Sequence, residues 1–133
     1  MTRIIGSIGI AGLLCCFACG GGAAQRASVT PGPMPEGATF TGVWFSPQYG
    51  EMHMVQTGAT VLGEYHKDER HGRLQGTVQG DLMRFAWTEE REMVAGRPQV
   101  TNGRGYFQLQ IGEDGDHYVI GEWGMDDSEV GGG

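Results

Sequence analysis

Residues 20–133 contain no cysteine; all three cysteines stand together at Cys15, Cys16 and Cys19. A small secreted body stapled by disulfides carries paired cysteines within it, so that framework is excluded. Basic residues are in deficit, with 9 Lys+Arg against 16 Asp+Glu and a formal charge of −7. A nucleic-acid binder needs a basic footprint to neutralise phosphates, and this chain has none. Serine occurs only at Ser7, Ser28, Ser46 and Ser128, none of them in a Gly-x-Ser-x-Gly elbow. With no thiol in the body either, no nucleophile for covalent catalysis stands out. The 25 glycines are scattered rather than set at every third position, which excludes collagen. Charged residues are few (19%) and hydrophobic ones make up 39%, so a wholly disordered chain is excluded too.

What is present begins with an address. Met1-Thr2-Arg3 is followed by an almost wholly apolar stretch from Ile4 to Phe17. That stretch is shorter than the ~20 residues of a membrane-crossing helix and suits a signal-peptide core. Its end, Cys16-Phe17-Ala18-Cys19-Gly20, resembles the lipobox of bacterial lipoproteins, in which a small residue precedes the cysteine that is acylated and becomes the mature N-terminus. Cys16 stands where that motif usually has Leu. The resemblance implies a signal peptide over 1–18, lipidation at Cys19, anchoring to a membrane through the lipid, and a place in the cell envelope. Gly20 in place of Asp favours the outer membrane under the sorting rule of enteric bacteria. Each buried CH₂ contributes ~0.8 kcal/mol, and two or more acyl chains hold stably. A zinc site at Cys16-x-x-Cys19 lacks a second pair of ligands.

Residues 19–37 have the composition of a flexible linker, with Gly and Ala early and Pro31, Pro33 and Pro35 stiffening its end. Residues 126–133 read as a disordered acidic and glycine-rich tail. Between them, over 38–125, the period is two. The inward set runs Phe40, Gly42, Trp44; Met52, Met54, Gln56; Val61, Gly63, Tyr65; Leu74, Gly76, Val78; Met83, Phe85, Trp87; Gly105, Phe107, Leu109, Ile111; and Val119, Gly121, Trp123. The alternate positions are mostly polar, as on the wet face of an antiparallel sheet. Turn signals at Thr57-Gly58-Ala59, Gln79-Gly80-Asp81 and Glu113-Asp114-Gly115-Asp116 separate the runs. The expected fold is all-β: one small antiparallel meander, a barrel or strongly curled sheet of seven to eight strands. A recurring apolar-x-Gly-x-aromatic unit (Phe40/Gly42/Trp44, Val61/Gly63/Tyr65, Val119/Gly121/Trp123) fits sharp curvature, with aromatic rings filling the space beside glycines.

Gly42-Val43-Trp44 resembles the Gly-x-Trp start of lipocalins and avidins, and Gly63-Glu64-Tyr65 is similar to an early strand of avidin-like chains. The resemblance implies a calycin-type barrel architecture. No Lys or Arg follows Arg104, whereas lipocalins place a late basic residue over the first-strand Trp.

Candidate sites divide by face. Trp44, Tyr65, Trp87 and Trp123 line a ligand cavity or fill the core. Val43, Phe45, Tyr106, Tyr118 and Ile120 would form one outward apolar patch if the barrel brings its first and last strands together, a surface suited to a protein partner. The connection Met93–Asn102 is a second candidate contact surface. His66 and His71 flank what reads as a polar hairpin loop rather than a metal site, since Lys67 and Arg70 oppose a cation. Glu89-Glu90-Arg91-Glu92 reads as a solvated strand end rather than a catalytic carboxylate pair, and Glu113–Asp116 as a turn rather than a calcium loop. No metal, cofactor or catalytic residue is expected. The leading expectation is a non-enzymatic envelope lipoprotein acting as a protein-interaction module; a carrier of a small hydrophobic ligand is the alternative.

Overall fold

The computed structural model describes residues 3–8 in their backbone, and residues 25–92 and 98–132. Cys19, residues 93–97 with Met93 and Val94 among them, and most of the leader lie outside the described residues. The elements are strands throughout: β1 (Arg3–Ile8), β2 (Gly42–Ser46), β3 (Gly50–Thr57), β4 (Thr60–Lys67), β5 (Arg70–Gln79), β6 (Leu82–Arg91), β7 (Gln99–Ile111) and β8 (His117–Met125). From β2 to β8 each strand pairs antiparallel with the next, giving one strongly curled meander. β1 lies parallel to both outer strands, Ile4 standing opposite Phe45 on one side and Tyr118 on the other, and completes the circle.

Short turns set the registers. Thr57 pairs with Thr60 across Gly58-Ala59, and Gln79 with Leu82 across Gly80-Asp81. Gly58 and Gly80 take φ of 60° and 59°, the left-handed region that a two-residue hairpin requires. Lys67 pairs with Arg70 across Asp68-Glu69, so His66 and His71 are a cross-strand pair rather than loop residues. Their rings meet edge to face at 4.3 Å.

The alternation places the expected inner face inside. Phe40, Trp44, Met54, Val61, Met83, Leu109 and Val119 are each at most 1% exposed. Two positions depart from the expectation. Phe40 is fully buried but precedes β2, in a bend tied down by its amide bonding to Gln56 Oε1 at 3.0 Å and by its carbonyl accepting the Trp44 indole N–H at 2.9 Å. Ile111 is 42% exposed, because it ends β7 opposite His117, where the hairpin leaves the barrel.

Across the strands, inward rings lie over inward glycines. Tyr65 stands opposite Gly72, Phe85 between Gly76 and Gly105, Trp87 opposite Gly103, and Phe107 opposite Gly121. A Cβ on Gly72 would fall 2.0 Å from the Tyr65 ring, and one on Gly105 2.6 Å from Phe85. The glycines therefore let strands approach and curl while the rings fill the volume they leave.

Residues 25–33 and the C-terminal tail, whose composition suggests a free leash and a disordered end, instead have partners. The Arg84 guanidinium on the outer face of β6 pairs with Glu129 and donates to the carbonyls of Ala27 and Val29, both at 3.3 Å. Glu129 Oε1 also accepts from the Ala27 amide at 2.8 Å, and the Glu129 amide donates to the Gln25 carbonyl at 2.7 Å. Farther on, Gly32 exchanges bonds with Asp81 through its amide and its carbonyl, at 2.8 and 3.0 Å. A buried carboxylate needs a counter-charge and donors, and Glu129 gets both only where the two terminal segments meet. Leu82, with the outward parity, is 2% exposed beside this seam.

Gly121→Ala should expose how tightly the curl is set. Its Cβ would fall 1.9 Å from the Tyr106 carbonyl oxygen, which belongs to backbone and cannot swing aside. Overpacking of this kind costs ~1–3 kcal/mol. The expected result is a lower urea midpoint with an unchanged slope; an unchanged midpoint would refute the close approach.

Candidate functional site: a half-filled aromatic barrel end

The two ends of the barrel differ. At the end of the Gly58 and Gly80 turns, the interior is packed by Phe40, Met54, Val61, Met83 and Leu109. At the other end, a cavity of about 230 Å³ opens among side chains from β3 to β8 and from the β2–β3 turn. Its inner floor is Met52, Leu74, Phe85 and Phe107, and its rim carries Tyr49, Tyr65, Arg70, Trp87, Glu89, Thr101, Trp123 and Met125.

The rings form a box. Trp87 and Trp123 meet at 5.6 Å with planes at 86°, and Tyr49 and Tyr65 at 5.6 Å and 65°. Edge-to-face contacts of this kind fix ring orientation beyond what area burial does. The Trp87 indole N–H donates to the Gly124 and Arg104 carbonyls at 3.2 and 3.3 Å, which holds its ring against the wall.

One carboxylate faces this box. Met83, Phe85, Trp87 and Glu89 share a face of β6, and Glu89 Oε1 accepts the Tyr65 phenol at 2.5 Å. Among the described residues no Lys, Arg or His forms an ion pair with Glu89. Arg70, inward on β5 two residues from Gly72, is a diagonal neighbour of Glu89 in the register and lines the same cavity, yet the two are not paired. Burial is the main force raising the Tyr65 phenol well above its ordinary 10, followed by its bond to Glu89 and the Glu89 charge. Tyr49 is raised for the same leading reason, burial, with Glu89 next.

Three of the four residues expected at an interior site, Tyr65, Trp87 and Trp123, line this cavity; Trp44 is packed in the core beside it, fully buried and outside the lining. Glu89, Arg70, Thr101 and Tyr49 were not legible as site residues. The signal for Glu89 was its parity: it continues 83, 85, 87 and is not part of a solvated end. Tyr49 sits in a turn, where parity carries no information.

The outward set does not form one patch. Phe45 is 44% exposed, but β1 lies between β2 and β8, so Val43 and Phe45 do not adjoin Tyr118 and Ile120 directly. Tyr106 lies in the register between Arg84 and Glu122 and donates to Glu122 Oε2 at 2.7 Å, on polar ground. The other exposed apolar residues include Val55 and Leu62, paired across β3 and β4. The connection after β6 is shorter than 93–102, since β7 starts at Gln99 and pairs it with Arg91; Val100 is an exposed strand residue. Among the described residues no group of three or more His, Cys, Asp or Glu is placed to hold a metal ion, and no helix is long and apolar enough to cross a membrane.

Comparison with known proteins finds no matching family model, no matching curated sequence and no matching solved structure.

The raised phenols predict alkaline sensitivity. A tyrosine whose folded pKa exceeds its unfolded value contributes stability that is complete below pH 10 and is lost as pH rises above it. The melting temperature should therefore fall above pH 10, and Tyr65→Phe should flatten that fall while costing ~0.5–1.5 kcal/mol at neutral pH from the lost hydrogen bond. Equal alkaline slopes in the two proteins would refute the assignment.

Proposed function

We propose that this chain is a non-enzymatic, lipid-anchored protein of the cell envelope whose barrel holds a small ligand in its open end. The observation that carries the reading is the cavity of about 230 Å³ walled by Trp87, Trp123, Tyr49 and Tyr65 and floored by apolar side chains. A packed core at one end already supplies a dry interior, so the opening at the other is not needed for the fold's integrity. Ligand sites are concave and mostly apolar, with a few convergent polar groups, which describes this end. Drug-sized sites span ~300–1,000 Å³, so the ligand is small or protrudes. The polar groups, Glu89, Tyr65, Arg70 and Thr101, suit holding rather than turnover: burial and the Glu89 charge keep the Tyr65 phenol protonated, which makes it a poor nucleophile.

The envelope half of the reading is supported by the leader and Cys19. A second reading, a protein-interaction module, is favoured by the exposed Phe45, Val55 and Leu62 on the outer face.

Calorimetric titration with 1-hexanol tests the cavity. The unmodified chain should bind it, and Thr101→Phe, which fills the rim from a half-buried position, should lose binding while keeping its melting temperature. No binding to the unmodified chain, or equal binding to the variant, refutes the carrier reading. Independently, Cys19→Ser should move the protein from the membrane fraction to the soluble one. A variant that stays membrane-bound refutes the anchor.

A further inference from the structure

Glu89 is a half-buried carboxylate with no basic partner among the described residues, set in a box of aromatic rings. An unpaired carboxylate at such a place is costly unless its field is used. The faces of Trp and Tyr rings are themselves attractive to cations, most strongly where water is excluded. Trp87 and Trp123 stand nearly perpendicular, and Tyr49 and Tyr65 close another corner, so a rounded group entering the cavity meets ring surface on several sides. Carboxylate and rings therefore select for the same property, a positive charge without hydrogen-bond donors that would need water.

Arg70 is the other charged group on the lining. It is placed to repel a simple cation, and it is not neutralised by Glu89 although the register makes them diagonal neighbours. In the register Glu89 stands opposite Gly72 and Arg70 opposite Arg91, so Glu89 lies deeper among the rings and Arg70 nearer the rim. Two opposite charges at one small mouth, not ion-paired with each other or with another described residue, match a ligand that carries both.

We propose that the cavity binds a small zwitterion, a quaternary ammonium compound bearing a carboxylate, with its onium group among Trp87, Trp123, Tyr65 and Glu89 and its carboxylate on Arg70. This rests on the reading of the cavity as a ligand site and names the ligand class. The net charge of −7 favours the approach of the cationic end.

The test uses three probes on the full chain: glycine betaine, its uncharged-head isostere 3,3-dimethylbutanoate, and choline, which has the onium group but no carboxylate. Calorimetry should show glycine betaine binding roughly tenfold or more tightly than either of the others. Glu89→Gln should remove the preference for glycine betaine over 3,3-dimethylbutanoate, and Arg70→Gln the preference over choline. The three-probe comparison on the unmodified chain stands even if a variant fails to fold. Dimethylbutanoate bound as tightly as glycine betaine overturns the onium site. Choline bound as tightly overturns the role of Arg70. Binding of 1-hexanol with none of the three probes overturns the zwitterion proposal and leaves the carrier reading standing, whereas no binding of any of the four overturns both.

Discussion

The fold depends on a steric match between neighbouring strands: from β4 to β8, inward rings lie against glycines of a neighbouring strand. Tyr65 over Gly72, Phe85 over Gly76 and Gly105, Trp87 over Gly103 and Phe107 over Gly121 repeat that match across four strand pairs. Bulky side chains on both sides of a ring would crowd the strands apart and flatten the sheet; Trp87, opposite Leu74 on one side, has Gly103 on the other. An inward glycine with nothing over it would leave a void whose lining loses its contacts; at Gly63 the space is filled by Met54 and Leu74 instead of a ring. Because each pair sets its own curl, the meander curls strongly without a second sheet to pack against, and β1 lies in the gap between β2 and β8.

That device also explains why the barrel is full at one end and open at the other. At the Gly58 and Gly80 end the inward positions are filled by flexible or compact side chains, Met54, Val61, Met83 and Leu109, which interdigitate to near-complete burial. At the opposite end two pairs of planar rings are held edge to face, and rigid plates do not interdigitate as methionines do. The space left between the plates is the cavity. Arg70 lies two residues beyond Gly72 on β5, and Glu89 two residues beyond Trp87 on β6, both toward the mouth.

The outer face is organised by a different force. Arg84 gathers the carboxylate of Glu129 and the carbonyls of Ala27 and Val29, so the segment before β2 and the segment after β8 are fastened to the middle of the sheet and to each other. In the full chain β1 occupies the gap between β2 and β8. If the leader is removed as its lipobox-like end implies, those two strands become the edges of a seven-stranded curled sheet. The clasp at Arg84 then holds the terminal segments against the body without help from β1.

The strand pattern was written locally and could be read locally. Alternation over a few residues assigns each side chain to a face, and it assigned Trp44, Met52, Met54, Tyr65, Phe85 and Phe107 correctly because the face a strand residue takes is a property of parity. The same reasoning named Tyr65, Trp87 and Trp123 as candidates for an interior site. What it could not supply was depth along the barrel, since parity is blind to which inward residues meet at the sealed end and which at the mouth. Register and closure decided that: they set Trp44 in solid core, brought Glu89 to the Tyr65 phenol from another strand, put Arg70 on the same cavity, and lifted Ile111 out into water. Likewise no composition marks residues 25–33 as bound, because their partners, Arg84, Asp81 and Glu129, are distant in sequence and meet only once the sheet has curled.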